Sequence, residues 1–141
     1  MTWQDDALKH AIEEDPRESC GLLLIKKGKE LYFRCKNIAP DPTNQFILDP
    51  HDYADAEDQG EITAVIHSHP VTSPEPSQAD KVACEKSSIK WWIIQPNLNK
   101  WAFYEPCGYK APLIGRKWVF GLTDCWSLCR DWYEQELGIK L

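Results

Sequence analysis

The chain has 141 residues, a length that suits one ordinary domain. Hydrophobic residues make up 43% of it and charged residues 27%, which excludes a largely disordered chain. The formal net charge of -6 would repel a phosphate backbone, so nucleic acid is not an expected partner.

The sequence predicts neither a membrane protein nor a secreted disulfide scaffold. No apolar run approaches the ~20 residues that span a bilayer, and residues 1–6 are acidic where a signal peptide is basic. We therefore expect synthesis in the cytoplasm. No two of the six cysteines have the CxxC spacing, which favours free thiols over a thiolate zinc ribbon. They are Cys20, Cys35, Cys84, Cys107, Cys125 and Cys129.

The first predicted elements are a helix and a β-hairpin. Thr2 can cap the helix, and apolar residues recur at helical spacing before Pro16 ends it. These apolar residues are Trp3, Ala7, Leu8, Ala11 and Ile12. We expect this face to pack on a sheet. The apolar run Cys20–Ile25 and the alternating residues 31–35 then predict two strands that turn near Gly28.

The middle of the chain predicts a loop, a helix and a buried strand. Residues 37–44 are rich in turn-forming residues, and residues 46–48 predict a short strand. Residues 49–58 predict an acidic helix that ends before Gly60. The apolar residues 62–66 then predict a buried strand.

The remaining elements complete an α/β (α+β) domain. A helix is predicted over residues 77–86, followed by strands over 91–94 and 101–104. Helices that alternate with a mostly antiparallel sheet predict one domain over residues 1–106. Proline and glycine then interrupt the pattern like a linker, before a C-terminal helix over residues 124–138.

Three polar residues after the buried strand are candidate metal ligands. His67 and His69, at positions i and i+2, point to the same side of an extended chain. Asp80 lies in the first turn of the next helix, after a loop stiffened by prolines. Two histidines and one carboxylate leave a fourth position for water, as in catalytic rather than structural zinc sites. We therefore predict one catalytic zinc ion held by His67, His69 and Asp80.

The same residues also have purely structural interpretations. Ser77 suits a helix cap, and Asp80 in the first turn complements the helix dipole. A single histidine at a strand end is more often a satisfied polar residue than a ligand. The combination is what favours a metal site, because His67-Ser-His-Pro follows an apolar strand and precedes Ser77 and Asp80 at a fixed offset.

These residues resemble a known family of enzymes. His67-x-His69, seven residues, Ser77, two residues and Asp80 match the signature of the JAB/JAMM (MPN-type) metallopeptidases. The resemblance covers residues 1 to about 106. It implies a JAB/MPN-like mixed, mostly antiparallel sheet flanked by helices, and a zinc metallopeptidase.

The resemblance also implies an upstream catalytic glutamate. Residues 16–21, Pro-Arg-Glu-Ser-Cys-Gly, are similar to the family element that carries it, although an exposed acid before a strand is the alternative interpretation. Glu18 would take a proton from water and return it to the leaving amine. Ser77 would donate a hydrogen bond to the developing oxyanion. Zinc would supply polarisation of the carbonyl and activation of the water.

The C-terminal segment resembles a second kind of peptidase. Residues 121–133 are similar to the opening of NlpC-type cysteine peptidase domains, in which a helix begins at the nucleophile. Cys125 is therefore a candidate nucleophile, favoured as thiolate by the helix dipole, or else a packed cysteine on an amphipathic helix. Such a nucleophile needs a histidine base, and all four histidines precede Cys125, so the chain does not supply a full site by the family pattern. Residues 107–141 are predicted to be a linker and the truncated start of such a domain, from an expressed fragment or a split gene.

This order of domains is similar to that of the bacteriophage tail assembly protein K family and its prophage relatives. The resemblance implies incorporation in the phage tail, tail proteins as partners, and peptidoglycan stem peptides or tail proteins as substrates. One alternative is an isopeptidase that processes a ubiquitin-like sulfur-carrier protein, which would not need an NlpC-type segment. A non-catalytic assembly scaffold is the other alternative, and the intact motif argues against it.

Tryptophan is unusually frequent for so short a chain. Six of the seven tryptophans exceed what a small core easily covers, and aromatic residues are enriched where partners bind. They are Trp91, Trp92, Trp101, Trp118, Trp126 and Trp132. We expect Trp91 or Trp92 to be buried in the sheet and several of the others to contact a further domain or a tail partner.

Overall fold

The computed structural model describes residues 2–119 and 121–141. Its elements, in chain order, are α1 (Trp3–Glu14), β1 (Cys20–Lys26), β2 (Lys29–Cys35), α2 (Pro50–Gln59), β3 (Glu61–Ser68), α3 (Gln78–Ser87), β4 (Lys90–Gln95), β5 (Lys100–Tyr104) and α4 (Cys125–Leu137). They form two compact units. The first unit comprises the described residues up to Glu75 together with Ile89–Tyr104, and the second comprises those of Pro76–Ser88 and Glu105–Leu141.

A five-stranded sheet in the order β2-β1-β3-β4-β5 dominates the first unit. Only the β3–β4 pair is parallel among the described strands, and the other neighbours are antiparallel. The β1–β2 hairpin turns at Lys27 and Gly28, both with positive φ, as a two-residue hairpin turn of type I′ requires. The predicted hairpin and the mixed, mostly antiparallel α+β fold are confirmed.

One face of the sheet packs against α1. The buried cluster on this face consists of Ala7, Leu23, Tyr32, Ala64 and Ile66, with Trp3, Trp92 and Trp101 packed against it. The predicted apolar face of α1 is wrong at Ile12, which is 58% exposed. His10 is buried instead, because positions 7, 10 and 11 form the sheet-facing stripe and position 12 lies about 100° beyond position 11.

The opposite face of the sheet carries the candidate metal ligand His67. Side chains alternate between the two faces of a strand, so Val65 and His67 project away from the cluster that contains Ile66. Trp91, the register partner of Val65 on β4, is on the same face and is buried. The predicted burial of Trp91 is confirmed.

The predicted strand over residues 46–48 is wrong. The structure has only an isolated bridge there, between Asn37 and Leu48. The reason is that the side chain of Asn37 accepts hydrogen bonds from the backbone N–H groups of Ala39 and Ile47, at 3.0 and 3.1 Å. A side chain that binds these donors replaces the backbone ladder of a strand with a loop.

The second unit contains two capped helices. Ser77 and Asp80 form a reciprocal capping box at the start of α3. Asp124 caps α4, which begins at Cys125 as predicted, and Gly138 ends it with a φ of +68°. The carboxylate of Asp124 accepts from the backbone N–H groups of Ser127 and Gly121, which lowers its pKa to about 2.

All six cysteines are free thiols, as predicted. Burial raises the pKa of the Cys35 and Cys84 thiols to about 12, so both are neutral near pH 7. Among the helices of the described residues, none combines the length and the apolar composition needed to cross a bilayer.

Candidate functional site

Strand pairing brings Glu18 to the two histidines of the motif. In the antiparallel β1–β3 pair, Cys20 is the register partner of His67. Continuing this register by two residues places Glu18 opposite His69. The potential ligand atoms of Glu18, His67 and His69 all lie within 4.8 Å of one another, and the three residues are buried.

The residue between the two histidines strengthens this pairing. The backbone N–H of Ser68 donates to the carbonyl of Ser19 at 3.0 Å, and the Ser68 hydroxyl accepts from the N–H of Ser19 at 2.8 Å. Ser19, which makes both bonds, directly follows Glu18 along the chain. The backbone next to Glu18 is therefore tied to the strand that carries the histidines.

Backbone contacts orient His69. Its N–H donates to the carbonyl of Ile94 at 2.8 Å, which extends the parallel pairing with β4. Its Nδ1 lies 2.8 Å from the carbonyl oxygen of Ser73. Because a carbonyl can only accept, Nδ1 is the donor, and the lone pair of the neutral ring is then on Nε2. That is the arrangement of a histidine that binds a metal through Nε2.

Aromatic rings surround His67, which has no solvent exposure. Phe46 stacks on its imidazole with centroids 4.3 Å apart and planes at 25°. Trp91 meets the same ring edge-on, with centroids 5.2 Å apart. The contacts restrict the ring to one orientation and keep water from this side of the site.

The donor set fits a zinc ion. The Nε2 atoms of His67 and His69 are 3.3 Å apart. Two imidazole nitrogens on one tetrahedral zinc, each bound at about 2.0–2.1 Å, are separated by roughly 3.3–3.4 Å. Buried histidine and carboxylate side chains are also the ligand types that zinc takes at catalytic sites.

The predicted site residues belong to two different compact units. Glu18, His67 and His69 meet in the first unit. Ser77 and Asp80 belong to the second unit, where the Ser77 hydroxyl accepts from Asp80 N–H at 3.1 Å and Asp80 Oδ2 accepts from Ser77 N–H at 3.0 Å. Their capping function is thus confirmed, while Asp80 as a ligand and Ser77 as an oxyanion donor stay predictions.

Cys125 lies at the exposed start of α4. The same helix contributes to the lining of an apolar cavity of about 530 Å³. The lining residues are Leu113 and Ile114, which precede the helix, and Leu128, Cys129, Trp132, Tyr133 and Glu136, which belong to it. A catalytic partner for Cys125 is not identified among the described residues of the second unit, whose span contains no histidine. Its role as a nucleophile stays a prediction.

Sequence reasoning missed the residues around the ligands. The sequence pattern predicts a strand at Phe46 and a turn at Asn37, yet Phe46 stacks on His67 and Asn37 donates to the carbonyl of Glu18. Only one sequence feature could have indicated this. An asparagine in a turn-rich stretch that follows a predicted strand can organise a loop through its side chain.

Comparisons with known proteins agree with this fold. The family described as prokaryotic homologs of the JAB domain matches residues 2–104. A solution structure of a protein from Desulfitobacterium hafniense is similar with a TM-score of 0.58 and 26% identity, and the match covers 72% of this chain and 76% of that one.

Two curated relatives are tail tip assembly proteins K. The protein of Escherichia phage N15 is 39% identical over 137 residues, which are 97% of this chain and 56% of the relative. That of Escherichia phage lambda is 37% identical over 87 residues, 61% of this chain and 41% of the relative. The chain is therefore homologous to tail assembly protein K and spans about half the length of these curated relatives.

Proposed function

Because the chain belongs to the prokaryotic homologs of the JAB domain, we propose that it is a zinc metallopeptidase of a phage tail-tip assembly protein. It hydrolyses peptide or isopeptide bonds. The observation that carries the proposal is the buried convergence of Glu18, His67 and His69. Buried ionisable groups that converge on one point are candidates for a functional site, so this convergence favours a chemical role.

His67, His69 and Asp80 are the proposed zinc ligands. The 3.3 Å separation of the two Nε2 atoms supports the histidine pair, and the motif spacing supports Asp80. When bound, zinc supplies Lewis-acid polarisation of the scissile carbonyl and lowers the pKa of water.

Proton transfer falls to Glu18 in this proposal. Its carboxylate takes a proton from the attacking water and returns that proton to the leaving amine. The buried environment keeps bulk water from competing for this proton. Ser77 donates its hydroxyl proton in a hydrogen bond to the carbonyl oxygen as negative charge develops there.

Homology to tail assembly protein K supports the biological setting. The relatives are named for tail tip assembly, so we propose incorporation in the phage tail with tail proteins as partners. Cell-wall peptides or tail proteins are the proposed substrates. We further propose that residues 107–141 are a linker and the first helix of an NlpC-type domain with Cys125 as its nucleophile, because α4 begins at this residue.

A substitution of Glu18 tests the catalytic proposal. The Glu18→Gln protein should bind one zinc ion per chain, as the wild type does, but its kcat should fall by about 10²- to 10⁴-fold because the amide cannot accept the proton. Zinc is measured by atomic emission, and cleavage by mass spectrometry of peptidoglycan fragments, tail proteins and a sulfur-carrier fusion. Glu30→Gln on the exposed hairpin removes the same charge and should keep full activity.

The substrates separate the competing functions. Cleavage of the sulfur-carrier fusion alone would favour the isopeptidase alternative, which the tail-protein relatives do not support. A zinc-loaded wild type that cleaves none of the three substrates would favour the assembly scaffold. Equal activity of the Glu18→Gln and wild-type proteins would rule out Glu18 as the base.

A further inference from the structure

Asn37 organises the loop between β2 and α2 from a buried position. Its side-chain carbonyl accepts from the N–H groups of Ala39 and Ile47, and its amide donates to the carbonyl of Gln45 at 2.9 Å. The side chain therefore bonds to the backbone on both sides of Phe46. An asparagine that satisfies several backbone groups at once holds a loop in one conformation.

The same side chain holds the backbone of the proposed base. The amide of Asn37 donates to the carbonyl of Glu18 at 3.0 Å. It also lies 3.4 Å from the carbonyl of Pro42, and that carbonyl accepts from the N–H of Glu18 at 2.7 Å. Both backbone polar groups of Glu18 are thus bonded to Asn37 or to the loop that Asn37 organises.

The loop reaches the proposed metal ligand through Phe46. Its ring stacks on His67, and Gln45 and Ile47 on either side of it are both bonded to Asn37. The position of the Phe46 ring therefore depends on the same amide that holds Glu18. A sub-ångström change in either group affects catalysis, because proton transfer and metal binding both depend on distance and angle.

We propose that Asn37 is a positioning residue, which sets the Glu18 carboxylate relative to His67 through two arms. One arm is the bond to the Glu18 backbone, and the other is the loop that presses Phe46 on His67. The inference rests on the proposed function and adds to it a residue outside the metal motif.

Substitution of Asn37 tests both arms together. The Asn37→Ala protein should have a kcat lower by about 10- to 100-fold, a KM within about threefold of the wild type, and a weaker zinc affinity by about 10-fold. Affinity is measured by competition of the zinc ion with a chromophoric chelator. The control is Tyr32→Phe, which removes the buried hydroxyl bonded to His10 in the same unit and lowers stability away from Glu18.

Substitution of Phe46 separates the arms. Phe46→Leu keeps an apolar side chain but loses the stacked ring, so zinc affinity should fall by about 10-fold while kcat at saturating zinc changes by less than about threefold. This variant keeps all the bonds of Asn37. It remains informative if Asn37→Ala does not fold.

The outcomes distinguish this inference from the proposed function. If Asn37→Ala matches Tyr32→Phe in kcat and zinc affinity, Asn37 contributes only stability and the inference is overturned. Unchanged affinity in Phe46→Leu overturns the arm through His67. If the wild type binds zinc but cleaves nothing, the proposed function fails, and the zinc affinities of the same variants still decide the role of Asn37.

Discussion

The candidate site of the first unit and helix α4 of the second unit place their aromatic side chains in opposite ways. In the first unit, Glu18 and His67 are buried and Trp91 is 4% exposed. In the second unit, the three aromatic residues of α4 are each at least 40% exposed, and Trp126 is 61% exposed. The candidate site thus encloses groups that are costly to desolvate, whereas helix α4 leaves large parts of its aromatic side chains in water. We therefore expect catalytic chemistry at the buried site, and only a small contribution to the free energy of unfolding from the exposed aromatic side chains of α4.

The largest expected effect is the loss of zinc and of cleavage when a histidine ligand is removed from the buried site of the first unit. His69→Ala should retain less than about 10% of the wild-type zinc after desalting and lose cleavage, because two remaining donors bind zinc weakly. Cys107→Ser, an exposed cysteine of the second unit, should keep one zinc ion per chain. Full zinc occupancy in His69→Ala, measured by atomic emission, would show that the ion is held elsewhere.

Two tryptophan substitutions compare the units directly. Trp91→Ala should lower the free energy of unfolding by about 3–5 kcal/mol, because it leaves a cavity in the sheet. Trp126→Ala should change it by no more than about 0.5 kcal/mol, because this side chain is mostly in water already. Urea denaturation of the zinc-free proteins, followed by circular dichroism, measures both. An equal loss of unfolding free energy in the two variants would contradict the difference in burial between Trp91 and Trp126.

The smallest effect concerns a buried histidine outside the site. Burial lowers the pKa of His10 from 6.5, and its Nδ1 shares a 2.6 Å hydrogen bond with the Tyr32 hydroxyl. The unfolded chain therefore binds a proton more readily than the folded one between the two pKa values. The stability contributed by neutral His10 is complete above about pH 6.5 and is lost as the pH falls towards the lower folded pKa.

Denaturation of the zinc-free protein between about pH 8 and pH 5 measures this effect. His10→Gln is the matched variant, because glutamine does not titrate. As the pH drops from about 6.5 towards 5, the unfolding free energy of the wild type should decrease relative to that of the variant. A constant difference would mean that the folded protein protonates His10 as easily as the unfolded chain does.

Much of the fold could be predicted because its cues are local. The capping residues Thr2, Ser77 and Asp124 begin helices where expected, and alternation and turn residues located the strands. The errors at Ile12 and at residues 46–48 have a different origin. Which side of a helix faces the sheet, and whether a side chain replaces a strand ladder, depend on contacts that the local pattern does not contain.

The sequence by itself determined the donor types and spacing of the candidate site. His67 and His69 share one side of an extended chain because of the two-residue period of a strand. Only the tertiary structure decided what surrounds them. The pairing of Ser19 with Ser68, 49 positions apart, brings Glu18 to the histidines, and Asn37 ties both to Phe46. Such contacts form through strand register and loop closure over long separations, so the spacing of residues along the chain does not encode them locally.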